Sequence, residues 1–265
     1  MRRSLIHQLA ILAAVLTLLS IVTGAFVTSE KSSERQHISV VSPGLHQITG
    51  EVAVVLLLVV AGGIFAAAPL RRLRAIAGAA VALSILAGIT FGAPLLHALV
   101  AQLLFATVAC LAPFTSAAWE KSGEMGAEPF DAKRWPALVR LASVTPLLVV
   151  LQICLGAAYR HRAIGVMPHI GGAMLVALAV LGLCVFVMQS LSENRTLGRA
   201  ATIALTVTLI QVTIGVAVFV MGMLDVESTL AGLISAVAHV STGALTLAAS
   251  TFFAIQIRRC AAARG

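Results

Sequence analysis

Charge is what this sequence has least of. Only 11% of its 265 residues are charged, against 60% hydrophobic, too few polar side chains to coat a water-soluble globule of that length. A soluble fold is excluded on that ground, and the chain belongs in lipid. Alternation of apolar and polar residues is also missing. The apolar runs are continuous, which excludes a transmembrane barrel and leaves helices to satisfy the backbone groups in hydrocarbon. No aromatic-basic stripe accompanies the 18 Lys and Arg, so the net charge of +8 is not a nucleic-acid footprint. Cysteine is scarce: Cys110, Cys154 and Cys184 fall inside apolar runs and Cys260 lies in a basic C-terminal tail, so no outer loop holds a disulfide framework. Phosphate-binding glycine loops, serine triads and the paired broken helices of transporters are absent too.

What is present is a series of eight apolar runs: Leu5 to Thr28, Gly44 to Ala68, Ala75 to Thr90, Leu95 to Ala117, Ala137 to Tyr159, Met167 to Ser190, Ala200 to Gly222 and Leu230 to Ile257. A span needs about 20 apolar residues. The third run is short and needs help from Phe91 or from local bilayer thinning. The expected class is an all-α integral membrane protein of eight transmembrane helices.

With the N-terminus inside, fourteen of the 18 basic residues fall in inner segments and only Lys31, Arg35, Arg160 and Arg162 in outer ones. This asymmetry predicts both termini on the cytoplasmic side of a cell inner (plasma) membrane. The first run is long for a signal peptide and lacks a small-x-small cleavage site, so it is read as a retained helix.

The longest polar stretch runs from Trp119 to Trp135 and divides the chain into an N-terminal half (1–118), a cytoplasmic linker (119–136) and a C-terminal half (137–265). Four spans per half make both halves run in the same sense, as parallel tandem four-helix bundles. The first helix ends Thr23-Gly24-Ala25 and the fifth Leu155-Gly156-Ala157, each followed by a loop and a histidine. A second echo is Gln152-x-x-x-Gly156 against Gln211-x-x-x-Gly215.

Four of seven histidines, His46, His97, His169 and His239, fall on the even-numbered helices, all toward the outer face. Four residues before and after each, one turn away on the same helix face, stand Ser42 and Gly50, Ala93 and Ala101, Gly165 and Ala173, Ser235 and Gly243. Such small flanks mark ordinary helix contacts in membranes, and they also give the clearance that a porphyrin between helices needs around an axial imidazole. Zinc would want four ligands at one tetrahedral point; two sites of two axial histidines suit haem iron. His7 is expected to snorkel at the inner interface and His37 to be a solvated loop residue. Arg160, His161 and Arg162 stand where haem propionates or solvent would meet them.

The tandem of four-helix units with one histidine near the outer start of each even helix resembles the haem A synthase family. So do the segments Gly156-Ala157-Ala158-Tyr159-Arg160-His161, Pro94-Leu95-Leu96-His97 and Ala238-His239-Val240-Ser241-Thr242-Gly243-Ala244-Leu245. The resemblance implies a membrane oxidoreductase that converts haem O to haem A by oxidising a ring methyl, for assembly of terminal oxidases. It further implies that His169 and His239 ligate a haem b cofactor, with Arg160 and Arg162 toward its propionates, and that His46 and His97 face the substrate haem. A haem O synthase as source and an electron donor are the implied partners.

Two departures fall in the N-terminal half. Where the family places a glutamate three residues before the helix-two histidine and an arginine just after it, this chain has Pro43 and Gln47. The paired cysteines that many members carry in the first outer loop are absent between Ser29 and Ser42. Glu51, the only carboxylate in a predicted span, follows His46 by five residues, about 140° round the helix, so a structural role is expected before a catalytic one. Two other readings use the same histidines: a two-haem cytochrome b that passes electrons, and a protein that binds haem and delivers it.

Overall fold

The structure, a computed structural model, describes residues 3–32, 41–67, 71–116, 119, 135–191 and 193–262. Eight helices among them are long and apolar enough to cross a membrane: α1 (Arg3–Ser32), α2 (Pro43–Ala67), α3 (Arg71–Ile89), α4 (Pro94–Phe114), α5 (Trp135–Arg160), α6 (Met167–Ser190), α7 (Arg195–Met223) and α8 (Leu230–Ala262). This is the expected all-α membrane class. The short third span gains its extra turn at its start, from Arg71, Arg72 and Arg74, whose apolar stems can lie along the helix while the charges reach water. Phe91 lies in the turn after α3.

Proline and small polar residues set the helix starts. Pro43, Pro94 and Pro168 occupy first-turn positions, where a missing N–H costs nothing. Ser42 accepts the Leu45 N–H at 3.2 Å, supplying a cap ahead of α2.

The chain divides into two compact units, one formed by Met1–Ser116 with Gln211–Ala244, the other by Ala117–Ile210 with Leu245–Gly265. In the first, α1 packs on α2 and α4, and α3 packs on α2 and α4. One cluster joins all four: Ala13, Leu57, Ala80, Leu104 and Val108. The two alanines let the helices approach closely, which matters because lipid tails are as apolar as leucine and packing must supply the attraction. In the second unit α5 packs on α6.

Large apolar side chains face outward, as Val55 (62% exposed), Leu147 (66%) and Leu178 (64%) show. In water such a surface would aggregate; it suits lipid. Buried hydroxyls are satisfied on their own helices, Thr17 donating to the Ala13 carbonyl at 2.7 Å, Thr145 to Leu141 at 2.8 Å and Thr208 to Ala204 at 2.7 Å. Inner polar groups of this kind stay cheap because each finds an i−4 carbonyl.

Candidate functional site

All four histidines stand in the N-terminal parts of even helices: His46 on α2, His97 on α4, His169 on α6 and His239 on α8. His46 turns toward α1, where its Nδ1–H donates to the Ser20 carbonyl at 3.0 Å, with Thr23 Oγ1 3.3 Å from the same nitrogen. Thr23 also bonds Thr49 at 3.1 Å, a second tie between α1 and α2 beside the ring. His97 donates its Nδ1–H to the Ala87 carbonyl at 2.9 Å, reaching back across the short turn that ends α3. A carbonyl only accepts, so in both rings the proton is on Nδ1 and the lone pair on Nε2. That is the tautomer a metal takes at Nε2.

The two rings lie close together. Their centroids are 6.2 Å apart and their planes meet at 87°. The pair packs edge to face. Phe91 meets the His97 ring edge-on, its centroid 6.3 Å away with the planes at 83°. Among the described residues no cluster of three or more His, Cys, Asp or Glu could hold a metal ion.

The other two histidines are held by glutamine amides. Gln152 of α5 donates from Nε2 to the His169 carbonyl at 2.9 Å, and the same nitrogen lies 2.9 Å from His169 Nδ1. Its Oε1 is buried without a partner among the described residues. Gln211 of α7 stands with Nε2 3.4 Å from His239 Nε2, while its Oε1 accepts from the Thr242 hydroxyl. Neither glutamine was singled out from sequence as a histidine partner, although the shared Gln-x-x-x-Gly spacing was the signal that could have found them.

The remaining candidates fall elsewhere. Glu51 lies on an exposed face of α2 and accepts from Gln47 Nε2 at 2.8 Å, one turn back on its own helix. Arg160 is the last residue of α5. Arg162 is exposed in the following turn, in the left-handed backbone region at φ 57°, a conformation that costs a non-glycine residue about 1 kcal/mol. His161 is exposed beside it. His7 does not snorkel freely: its Nδ1–H donates to the Ala112 carbonyl at 2.9 Å with Thr115 Oγ1 at 3.2 Å, fastening the start of α1 to the end of α4. His37 lies outside the described residues. Neither the models of known protein families nor the curated protein sequences compared with this chain match it.

Proposed function

We propose that this chain is a membrane haemoprotein of the haem A synthase type, with His46 and His97 toward one haem and with His169 and His239 as the candidate ligands for haem b. The observation that carries the reading is the His46–His97 pair, with centroids 6.2 Å apart and both Nδ1 protons given to backbone carbonyls. A bound haem supplies the oxygen or electron chemistry. The chain orients the imidazoles and holds their Nδ1 protons. On this reading the substrate is haem O from a haem O synthase, the product is haem A, and an electron donor completes the reaction in a cell inner (plasma) membrane with both termini cytoplasmic.

One observation favours a second reading. Glu51 is turned to an exposed face and bonded to Gln47, and Pro43 stands three residues before His46, so α2 offers no carboxylate beside the histidine. A two-haem cytochrome b needs none. Mass analysis of haems extracted after co-expression with a haem O source separates the two. Formyl haem appearing only with this protein supports the synthase. Haem O left unconverted under aerobic, electron-supplied conditions, with haem b bound, refutes it in favour of the electron carrier.

A further inference from the structure

Three helix pairs repeat one contact. A Cβ on Gly24 would stand 2.8 Å from Cε1 of His46, one on Gly156 2.8 Å from Cε1 of His169, and one on Gly215 2.8 Å from Cε1 of His239. Carbon atoms in favourable contact lie about 3.5–4.0 Å apart. At each glycine the imidazole occupies the space that a side chain would need.

The packing is reciprocal. One turn before each glycine stands a polar residue, Ser20, Gln152 or Gln211, and its side chain covers a glycine on the histidine-bearing helix. Ser20 Oγ is 3.3 Å from where a Gly50 Cβ would be and Gln211 Nε2 is 3.3 Å from that of Gly243, while Gln152 Oε1 fills the space over Gly172. Odd helix and even helix thus exchange a polar side chain and an imidazole, each lying on the other's glycine. The fourth pair breaks the pattern. On α3 Ser84 and Gly88 keep the same spacing, yet nothing lies within 4 Å of a Cβ on Gly88, and His97 is held by the Ala87 carbonyl instead.

We propose that Gly24, Gly156 and Gly215, each with the polar residue one turn before it, are positioning residues that set the depth and orientation of His46, His169 and His239. A methyl at 2.8 Å must drive the ring back by about 0.7 Å to reach a carbon contact of about 3.5 Å. A functional constellation tolerates about 0.5 Å, so the displacement is large enough to spoil an axial bond. The consequence for haem rests on the reading above. The packing of ring on glycine does not.

A double-mutant cycle on the full chain in detergent tests the contact without haem. Gly156→Ala is expected to lower the melting temperature by about 2–4 °C. In a His169→Ala background the same substitution is expected to cost less than half as much, because no ring remains to be displaced. Gly215→Ala against His239→Ala should behave alike, and Gly88→Ala should be silent in every background. If Gly156→Ala yields no folded protein, adding His169→Ala is expected to restore it. Equal costs with and without the histidine, or no restoration, overturn the proposal whether or not haem binds. With haem loaded, Gly156→Ala and Gly215→Ala are expected to weaken haem retention about 10- to 100-fold and to change the low-spin iron resonance spectrum, with Gly88→Ala like the unaltered protein. Variants that bind haem with unchanged affinity and spectrum refute the positioning role. An unaltered protein that binds no haem refutes the functional reading instead, and the melting cycle then decides the contact by itself.

Discussion

The N-terminal and C-terminal histidines differ in whether a side-chain amide reaches the ring. His46 and His97 give their Nδ1 protons to backbone carbonyls, of Ser20 and Ala87, whereas His169 and His239 meet the side-chain amides of Gln152 and Gln211. A carbonyl has one role, so the N-terminal rings are locked with the lone pair on Nε2. An amide has two ends. As it stands, Gln152 presents its side-chain N–H beside Nδ1 of His169, leaves its buried oxygen without a partner among the described residues, and brings its backbone carbonyl to the same ring. The N-terminal rings are thus held in one tautomer by fixed carbonyls, and the C-terminal ones have in addition a side-chain amide that can turn.

Removing an imidazole breaks the comparison most severely. His46→Ala and His97→Ala are each expected to empty the N-terminal haem site while leaving haem b, and His169→Ala and His239→Ala to do the reverse. The loss should exceed the about 10- to 100-fold that follows removal of a ligand's supporting partner. Haem content by pyridine haemochrome and the spectrum of each purified variant check this. Full haem content in all four would return the histidines to plain helix-contact residues.

A smaller effect sharpens the difference between carbonyl and amide. Gln152→Met keeps the side-chain length but removes the amide, and is expected to weaken haem b retention about 10-fold or more. Ser20→Ala leaves the backbone carbonyl in place, so haem at the N-terminal site is expected to be held as before. Titration of haem into the two purified variants measures both. Equal losses would mean that the Ser20 hydroxyl, rather than its carbonyl, supports His46.

Much of this was legible in the sequence, for reasons that vary with the residue. The eight helices follow from apolar runs long enough to cross hydrocarbon, and the histidines stand out because an ionisable group in such a run is rare. Gly50 and Gly243 were equally visible, as small flanks read for porphyrin clearance. Their observed use is different: each lies under the Ser20 or Gln211 side chain of the preceding helix. That depends on the register between two helices, which no single helix encodes. Gln152 and Gln211 were noticed as a repeat, but the partner of each lies 17 or 28 residues away, across a turn whose geometry composition does not specify. The same limit hid the tie from His7 to Ala112 and Thr115, since an amphipathic side chain near a helix start reads equally as a snorkelling one.

The smallest expected effect belongs to Glu51, and it tests whether the N-terminal pair works without a carboxylate. Five residues after His46, Glu51 points about 140° away from it round the helix. The structure adds a partner, the Gln47 amide at 2.8 Å on the exposed face. Exposed pairs one turn apart contribute about 0.2–0.5 kcal/mol to a helix, and Glu51→Gln keeps both the shape and a hydrogen-bonding oxygen. The variant is therefore expected to hold haem at both sites, melt within about 1 °C of the unaltered protein and retain at least part of any haem O conversion. A proton-transferring carboxylate would behave otherwise, because general acid-base assistance is worth about 10²- to 10⁴-fold. A fall of that size on Glu51→Gln, with haem content unchanged, would bring Glu51 to the reacting haem and give α2 the acid that Pro43 does not supply.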